Sequence, residues 1–189
     1  MILRLLLPLF AFTCLVACSS SQTPGQQAGD PLGRSSAVSV AMPGFVTDEN
    51  TVLNWRSDLI WVDDPEDRFE RRGQILQQAL QQEFERKGYR FATAQDSPDY
   101  DVVAVVLLGE LQDHAEIQEI FRLYPSLANP AAGYGKGTVM LAIAPHGTSD
   151  IVWRGALEVY TDPGMQPVNA RDERLRWIAQ QLLGSIPAV

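Results

Sequence analysis

The stretch Val102-Val103-Ala104-Val105-Val106-Leu107-Leu108 decides how this chain folds. It is an unbroken apolar run rich in valine, and β-branched side chains pack well on the pleated surface of a sheet. A run without alternating polar residues offers no face to water. We therefore predict a central strand over Tyr100–Leu108 that is covered on both faces, or covered on one and crowded on the other.

A similar apolar run over residues 138–144 predicts a second long strand, and residues 151–160 predict a third. The connection between them, residues 145–150, is short and contains Gly147. Such a connection between two strands is typical of an antiparallel hairpin. Shorter strands are predicted over residues 37–42, 59–62 and 89–94.

Asp63-Asp64-Pro65 carries the start signal of a first helix. Asp64 is a good N-cap and Pro65 suits the first helical position, so we predict a helix from here to about Lys87. Gly88 then favours the end of this helix. Its apolar residues recur at spacings of three and four and make one stripe: Phe69, Gly73, Leu76, Leu80 and Phe84.

A second helix is predicted from about Ala170 to Leu183, with Asn169 as its cap. Its stripe consists of Leu175, Ile178, Ala179 and Leu182. Each helix is apolar on one side only, and most of the strands follow one another along the chain. We therefore predict the α+β class, with a mostly antiparallel sheet and two amphipathic helices packed on one of its faces.

Leu15-Val16-Ala17-Cys18 ends a short apolar segment at the beginning of the chain. That segment has about 12 apolar residues, which suits the core of a signal peptide, whereas a spanning helix needs about 20. The order Leu-x-Ala-Cys resembles the lipobox of bacterial lipoproteins, in which the cysteine receives the lipid. The alternative is an ordinary secreted protein in which Cys18 follows the apolar segment by coincidence.

The lipobox interpretation divides the chain into three parts. We predict a signal peptide over residues 1–17, a flexible tether rich in Ser, Gln, Gly and Pro over residues 18–36, and a single periplasmic domain over residues 37–189. The lipid on Cys18 would make the membrane a permanent partner. Lipoprotein sorting rules, carried over by the resemblance, favour the periplasmic face of the outer membrane because Ser19 rather than Asp follows the cysteine.

Charge and cysteine content narrow the range of partners. The formal net charge is −8, and an acidic domain repels the phosphate backbone, so nucleic acid is not expected as a partner. Cys14 lies in the segment that is removed and Cys18 is used for the lipid, which leaves the mature domain without a thiol. We therefore expect no disulfide, no cysteine–metal site and no cofactor.

Several short motifs resemble a known family. Lys87-Gly88-Tyr89, Pro98-Asp99-Tyr100-Asp101, Tyr134-Gly135-Lys136-Gly137-Thr138 and Ile151-Val152-Trp153-Arg154-Gly155 occur in this order. Over roughly residues 58–187 the chain resembles the lipoproteins of the domain of unknown function 4136 (DUF4136) family. The resemblance implies a periplasmic lipoprotein without an established activity, and it brings no catalytic residues.

One long connection within this range, residues 111–133, does not share in the resemblance. In it Ile117, Ile120, Phe121 and Tyr124 have the spacing of one or two amphipathic helical turns, which the following prolines end. Long connections between core strands are often functional. Two interpretations stay open: the segment covers the open face of the sheet, which we favour, or these four residues expose an apolar patch that binds a partner.

Residues of catalytic type do not form a recognisable set in the sequence. The histidines are His114 and His146, and the spacing of Asp113, His114 and Glu116 does not place three ligands on one helical face. The chain also lacks the Gly-x-Ser-x-Gly elbow of serine hydrolases. A non-enzymatic protein is therefore the favoured interpretation.

The favoured function is that of a membrane-anchored binding or envelope-scaffold module, whose partner is another envelope protein or a cell-wall component. One alternative is an auxiliary component of lipid or lipopolysaccharide transport, which requires an apolar groove between the helices and the sheet. The other is a periplasmic hydrolase whose site forms only in three dimensions, which requires a pocket with converging polar groups.

Overall fold

A computed structural model describes residues 31–62, 69–128, 133–161 and 168–189. Within these ranges one sheet of seven strands forms the centre of the molecule, in the order β1-β7-β6-β5-β2-β4, and β3 pairs with β5 beyond the end of β2. The strands are β1 (Ser35–Ala41), β2 (Val52–Trp55), β3 (Ile60–Trp61), β4 (Arg90–Phe91), β5 (Tyr100–Leu108), β6 (Gly135–Pro145) and β7 (Trp153–Thr161).

The central strand is the one that the sequence predicts, with the same bounds, Tyr100–Leu108. On one side β5 pairs with β6 along its whole length, and β6, β7 and β1 continue in antiparallel order. On the other side β2 and β3 lie end to end along β5, both parallel to it, and β4 is parallel to β2. The α+β class is confirmed, and the mostly antiparallel sheet is a mixed one.

The helices differ in number from the prediction. The described residues contain α1 (Glu70–Arg86), α2 (Ala115–Phe121) and α3 (Val168–Leu182), where the sequence predicted two. The predicted start of the first helix, Asp63-Asp64-Pro65, lies outside the described residues. The additional helix is only seven residues long, too short for a periodic stripe to identify it. Its C-cap is Arg122, whose left-handed φ of 48° ends the helix.

Helices α1 and α3 pack side by side on what we call the first face of the sheet. Their contribution to the core is the predicted stripes: Leu76, Leu80, Phe84, Ile178, Ala179 and Leu182. Residues at alternate positions of β5, β6 and β7 meet them, among them Val102, Leu141, Ile143, Trp153 and Leu157. The prediction that these two helices lie on one face therefore holds for α1 and α3.

The other side, the second face, is covered by residues 111–127, which we call the covering segment. Leu111, Phe121 and Leu123 of this segment are buried against Val105, Leu107, Met140, Ala142 and Ala156 of the sheet. Both faces of β5 are thus covered, as its unbroken apolar sequence predicts. The favoured interpretation of the long connection, that it covers the sheet, agrees with this packing.

The structure describes the last residues of the chain but not its first 30. Strand β1 begins at Ser35, so the last residues of the predicted tether belong to the sheet. Cys18 and the predicted signal peptide lie outside the described residues. At the other end Gly88, with φ of 102°, closes α1 and allows Val189 to approach it; the Val189 N–H donates to the Lys87 carbonyl at 2.9 Å. In the described part of the chain, none of the helices combines the length and the apolar character that crossing a membrane requires.

Candidate functional site

A cavity of about 760 Å³ lies on the first face, between the beginnings of α1 and α3 and over one end of β5, β6 and β7. Its described walls come from α1, from α3 and from the sheet beneath them, and they are mainly apolar. They include Ile75 and Leu76 of α1, Val106 and Leu108 of β5, and Leu175 and Ile178 of α3. An apolar concave site of this size is typical of small-molecule binding.

The floor of the cavity exists because the sheet extends beyond the packed core. Val106 is buried beneath the helices, whereas Leu108, two residues further along the same face, is exposed. Leu108 pairs with Gly137 of β6, which adds no side chain to the floor. A Cβ at Gly137 would lie 3.1 Å from Cγ2 of Thr161 and 3.3 Å from Cδ2 of Leu108, so a larger residue would crowd this end of the sheet.

The wall next to α1 is formed by Trp61 of β3. Its indole ring approaches the helix closely because Gly73 has no side chain; a Cβ there would lie 2.8 Å from Trp61 Nε1. The ring also packs on Phe69, with 4.9 Å between the ring centroids. Gly73 stands in the predicted apolar stripe of the first helix, and this contact is its structural reason.

Charged residues surround the mouth of the cavity. Arginines predominate among them, although the whole chain carries a net charge of −8. Arg174 is held in place: its guanidinium lies 4.2 Å from the centroid of the Trp177 ring, and its Nη2 donates to the Tyr160 carbonyl at 3.3 Å. The charged residues along the cavity are Arg71, Arg72, Arg171, Arg174, Asp172 and Glu173.

A smaller depression of about 430 Å³ lies on the outer side of α1 and has polar walls. Five glutamines of α1 contribute to it, and some of its polar groups bond one another: Trp55 Nε1 donates to Gln81 Oε1 at 3.3 Å, and Gln81 Nε2 donates to Glu85 Oε1 at 2.8 Å. Glutamine amides are neither nucleophiles nor general bases. Two carboxylates, Asp58 and Glu85, also line the depression, and Glu85 is engaged by Gln81. Most of its polar groups are therefore uncharged amides.

A buried carboxylate lies at the hairpin end of the second face. Asp101 accepts hydrogen bonds from Asn54 Nδ2 at 2.9 Å and from the Gly147 N–H at 3.0 Å, and it contacts His146 Nδ1 at 2.9 Å. Burial alone would raise the pKa of this carboxyl group, but the three hydrogen bonds outweigh it and hold the pKa below its ordinary value. The arrangement fastens the β6–β7 turn to β5 and β2.

The four residues that the sequence identified as partner-binding candidates separate in the structure. Phe121 is buried in the second-face core and Ile117 packs partly buried beside it. Ile120 and Tyr124 are 55% and 64% exposed. The four residues therefore do not form one surface, and all of them lie on the opposite side of the sheet from the cavity.

The amino-acid sequence does not reveal the cavity. Its lining residues look like ordinary core positions in the sequence, and only their position beyond the helix-covered part of the sheet distinguishes them. Two signals were present: a glycine in the stripe of α1, and Arg171 and Arg174 near the beginning of α3. Leu32 and Gly33, which belong to the predicted tether, line the cavity. Among the described residues, no group of three His, Asp or Glu side chains is arranged to hold a metal ion.

No family model matches this chain, and no curated protein matches it in sequence. Similar solved structures include a PelC dodecamer from Paraburkholderia phytofirmans, with 9% identity over 79% of this chain and 99% of that chain and a TM-score of 0.42. A DUF4136 family protein from Bacteroides thetaiotaomicron has 11% identity over 78% and 95%, with a TM-score of 0.45. A proposed lipoprotein from Caulobacter crescentus has 16% identity over 65% and 77%, with a TM-score of 0.31. One of these solved structures is from the family that the sequence motifs resemble.

Proposed function

We propose that this chain is a lipid-anchored, non-enzymatic binding protein of the bacterial envelope, and that it holds an acyl chain of one anionic phospholipid in the cavity on the first face. The observation that carries the proposal is the combination of apolar walls with arginines at the mouth. An amphiphile with an acyl chain and a phosphate matches both parts. A phospholipid ligand is compatible with the binding module that the sequence favours, and also with the lipid-transport alternative.

The size and lining of the cavity support an acyl chain. A volume of about 760 Å³ lies within the range of roughly 300–1,000 Å³ that is usual for ligand sites. Each methylene removed from water contributes about 0.8 kcal/mol, so about ten methylenes contribute about 8 kcal/mol before the costs of ordering. Ile75, Val139 and Leu175 offer such a chain aliphatic contacts from three sides.

The charges at the mouth support an anionic head group. Guanidinium groups bind phosphate oxygens in a bidentate manner, and Arg71 and Arg72 lie at the beginning of α1 on this rim. The net charge of −8 opposes flat adsorption of the whole domain on an anionic membrane. A locally basic mouth would therefore attract a single head group, without drawing the domain onto the bilayer.

The proposed anchor supports access to this ligand. We place the lipid on Cys18 after removal of residues 1–17, and the protein on the periplasmic face of the outer membrane, as the sequence predicts. The chain enters the described domain at Leu32 and Gly33, which line the cavity. A flexible tether between Cys18 and Leu32 reaches about 20 Å on average, which would keep the cavity within reach of the membrane surface.

The test measures phospholipid that stays bound to the purified full-length lipoprotein. The protein is extracted in mild detergent, incubated with vesicles of phosphatidylglycerol and phosphatidylethanolamine, re-isolated, and analysed by native mass spectrometry. We expect one phosphatidylglycerol per chain. Ile75→Trp, which fills the cavity, should lower this occupancy at least tenfold, because Ile75 lies in its wall.

The matched control is Gln78→Trp, which adds the same side chain to the exposed side of the same helix and should leave the occupancy unchanged. For the rim, Arg71→Glu together with Arg72→Glu should shift the bound lipid from phosphatidylglycerol towards phosphatidylethanolamine, whereas Arg90→Glu, on an exposed strand elsewhere, should not. Equal occupancy in Ile75→Trp and Gln78→Trp, or no bound lipid in the parent protein, would overturn the proposal.

A further inference from the structure

Strand β1 lies at the edge of the sheet, and no described residue pairs with its outer side. Its inner side pairs with β7 continuously from Ser35 to Ala41. Next to this ladder the Met42 N–H donates to the Val152 carbonyl at 2.7 Å, which indicates that even-numbered residues direct their backbone groups towards β7. Because the direction alternates along an antiparallel strand, odd-numbered residues direct their N–H and C=O groups outwards.

The outer side of β1 lacks the features that usually protect an edge strand. Its sequence, Ser-Ser-Ala-Val-Ser-Val-Ala, contains no charged residue and no proline, and its register with β7 contains no bulge. The opposite edge is different, since β4 has only two residues and one of them is Arg90. A long, regular and uncharged edge is the kind of edge that accepts a further strand.

We propose that β1 pairs antiparallel with β1 of a second copy of this chain, with the two-fold axis at Val38. In this register Ala37 pairs with Ser39 of the partner subunit, and Ser35 pairs with Ala41 of the partner subunit. All four outward-directed residues of the strand then form hydrogen bonds, whereas an axis at either neighbouring residue would use fewer of them. The interface is the same on both copies and closes after two.

The chemistry of the strand favours a second copy over a charged partner. Two chains that each carry a net charge of −8 repel one another. Because β1 contains no charged residue, pairing two copies along it brings no like charges face to face. Val40, which is 38% exposed, would gain cover from Ser36 of the partner subunit. One pair of strands is small beside the roughly 1,200–2,000 Å² of a stable interface. We therefore expect a weak dimer that forms where the chain is concentrated, as on a membrane.

The experiment is disulfide trapping of the full-length protein in its native membrane. Val38→Cys places the new thiol on the axis, in a non-hydrogen-bonded pair with a Cα separation of about 4.5 Å, which is within the range that a disulfide spans. Mild oxidation should convert most of this variant to a covalent dimer. The parent chain, whose cysteines are Cys14 and Cys18, gives the background to be subtracted.

Val40→Cys is the matched control, because it lies on the same face of the same strand and is more exposed. In the proposed register the two copies of residue 40 are about 14 Å apart along the strands, too far for a disulfide. Dimer in Val38→Cys but not in Val40→Cys supports the proposal, whereas equal dimer in both, or dimer in neither, overturns it.

A second variant separates pairing from misfolding. Ser39→Pro removes an outward-directed N–H, and proline is tolerated at the open side of an edge strand. Added to Val38→Cys, it should lower the yield of dimer at least tenfold while circular dichroism stays unchanged. A dimer yield that stays the same in this double variant would contradict pairing through the edge of β1. This inference rests on the membrane anchor of the proposed function, which concentrates the chain, but it does not depend on the lipid ligand in the cavity.

Discussion

The two faces of the sheet are both buried, but they are covered in different ways. The first face lies under two long amphipathic helices, α1 and α3, and the strand residues beneath the packed part are apolar. The second face lies under a seven-residue helix and irregular chain. Polar groups are buried on its strands as well: Asp101, Lys136, Thr138 and Glu158.

The two faces differ because each cover finds hydrogen-bond partners for its own backbone N–H and C=O groups in a different way. A helix bonds its N–H and C=O groups internally, so α1 and α3 need only apolar contacts with the sheet. An irregular segment must find partners for its backbone elsewhere. The Leu127 N–H donates to Glu158 Oε2 at 2.7 Å, and the Ser126 N–H donates to Ser36 Oγ at 3.1 Å. Of the buried polar groups of the second face, Glu158 thus bonds the covering segment directly, and Ser36 at the edge of the sheet gives it a second attachment.

The largest expected effect comes from removing one phenylalanine from each cover. Phe84 of α1 is 0% exposed and Phe121 of α2 is 3% exposed. Phe84→Ala should lower the free energy of unfolding by about 3–5 kcal/mol, because the rigid helix pair cannot close the space. Phe121→Ala should cost about 2–3 kcal/mol, because a short irregular cover can shift into the gap. Urea unfolding of both variants measures the difference.

Hydrogen exchange distinguishes the two covers further. In Phe121→Ala the amides of the covering segment should exchange faster while those of α1 stay protected, since local opening does not require the helices to leave the sheet. Phe84→Ala should instead raise exchange in both helices. An exposed change of the same kind, Tyr124→Ala, provides the baseline. Equal losses of stability and equal exchange patterns in the two buried variants would show that the covers are equivalent.

The sequence predicted the first face well because its signals are local. The stripes of α1 and α3 and the strand at Tyr100–Leu108 depend on periodicity and β-branching, which a single segment carries. Strand β2 was missed because only Val52 and Leu53 are fully buried in it, and its parallel pairing with β5 joins distant parts of the chain. The burial of Phe121 depends on which strand residues it meets, and that is not a property of its own segment.

A smaller effect is expected from the polar group that fastens the cover. Glu158 is buried, accepts the Leu127 N–H, and lies 3.9 Å from Lys136 Nζ, which Glu110 also approaches at 3.2 Å. Glu158→Gln keeps an oxygen acceptor but removes the charge. We expect a loss of about 1–2 kcal/mol, because Lys136 retains Glu110 as its partner.

The readout for Glu158→Gln is again urea unfolding with hydrogen exchange. The Leu127 amide should lose protection before the rest of the covering segment. Glu119→Gln changes an exposed carboxylate on α2 and should stay within about 0.5 kcal/mol of the parent. A Glu158→Gln protein as stable as the parent would mean that the charge of Glu158 does not contribute to holding the cover.

The candidate site was less predictable than the fold. A cavity forms where side chains leave space between them, and this depends on packing in three dimensions. In the sequence Leu108 and Gly137 look like ordinary strand residues, and only their pairing between β5 and β6 brings them together. The arginines at its mouth are brought together from the beginnings of two helices that lie far apart in sequence. Ile117, Ile120, Phe121 and Tyr124 were predicted to share one amphipathic side, but only Ile117 and Phe121 pack against the sheet. The spacing within one segment does not reveal which of its residues face the sheet.

The smallest expected effect lies at Asp101, where the second face ends under the β6–β7 turn instead of the covering segment. Its hydrogen bonds hold the folded-state pKa below the ordinary value of 3.8, so the carboxylate stabilises the fold above that pH. Asp101→Asn should therefore cost about 1 kcal/mol at pH 7. As the pH falls through the folded-state pKa, both states of the parent become protonated and this advantage disappears.

Urea unfolding of both proteins between pH 7 and pH 3 measures this effect. The difference in stability between the parent and Asp101→Asn should narrow only below about pH 4. Asp150→Asn, in an exposed position of the same connection, should show no such narrowing. A constant difference across this range would mean that the shape of the residue, and not its charge, holds the turn on the second face.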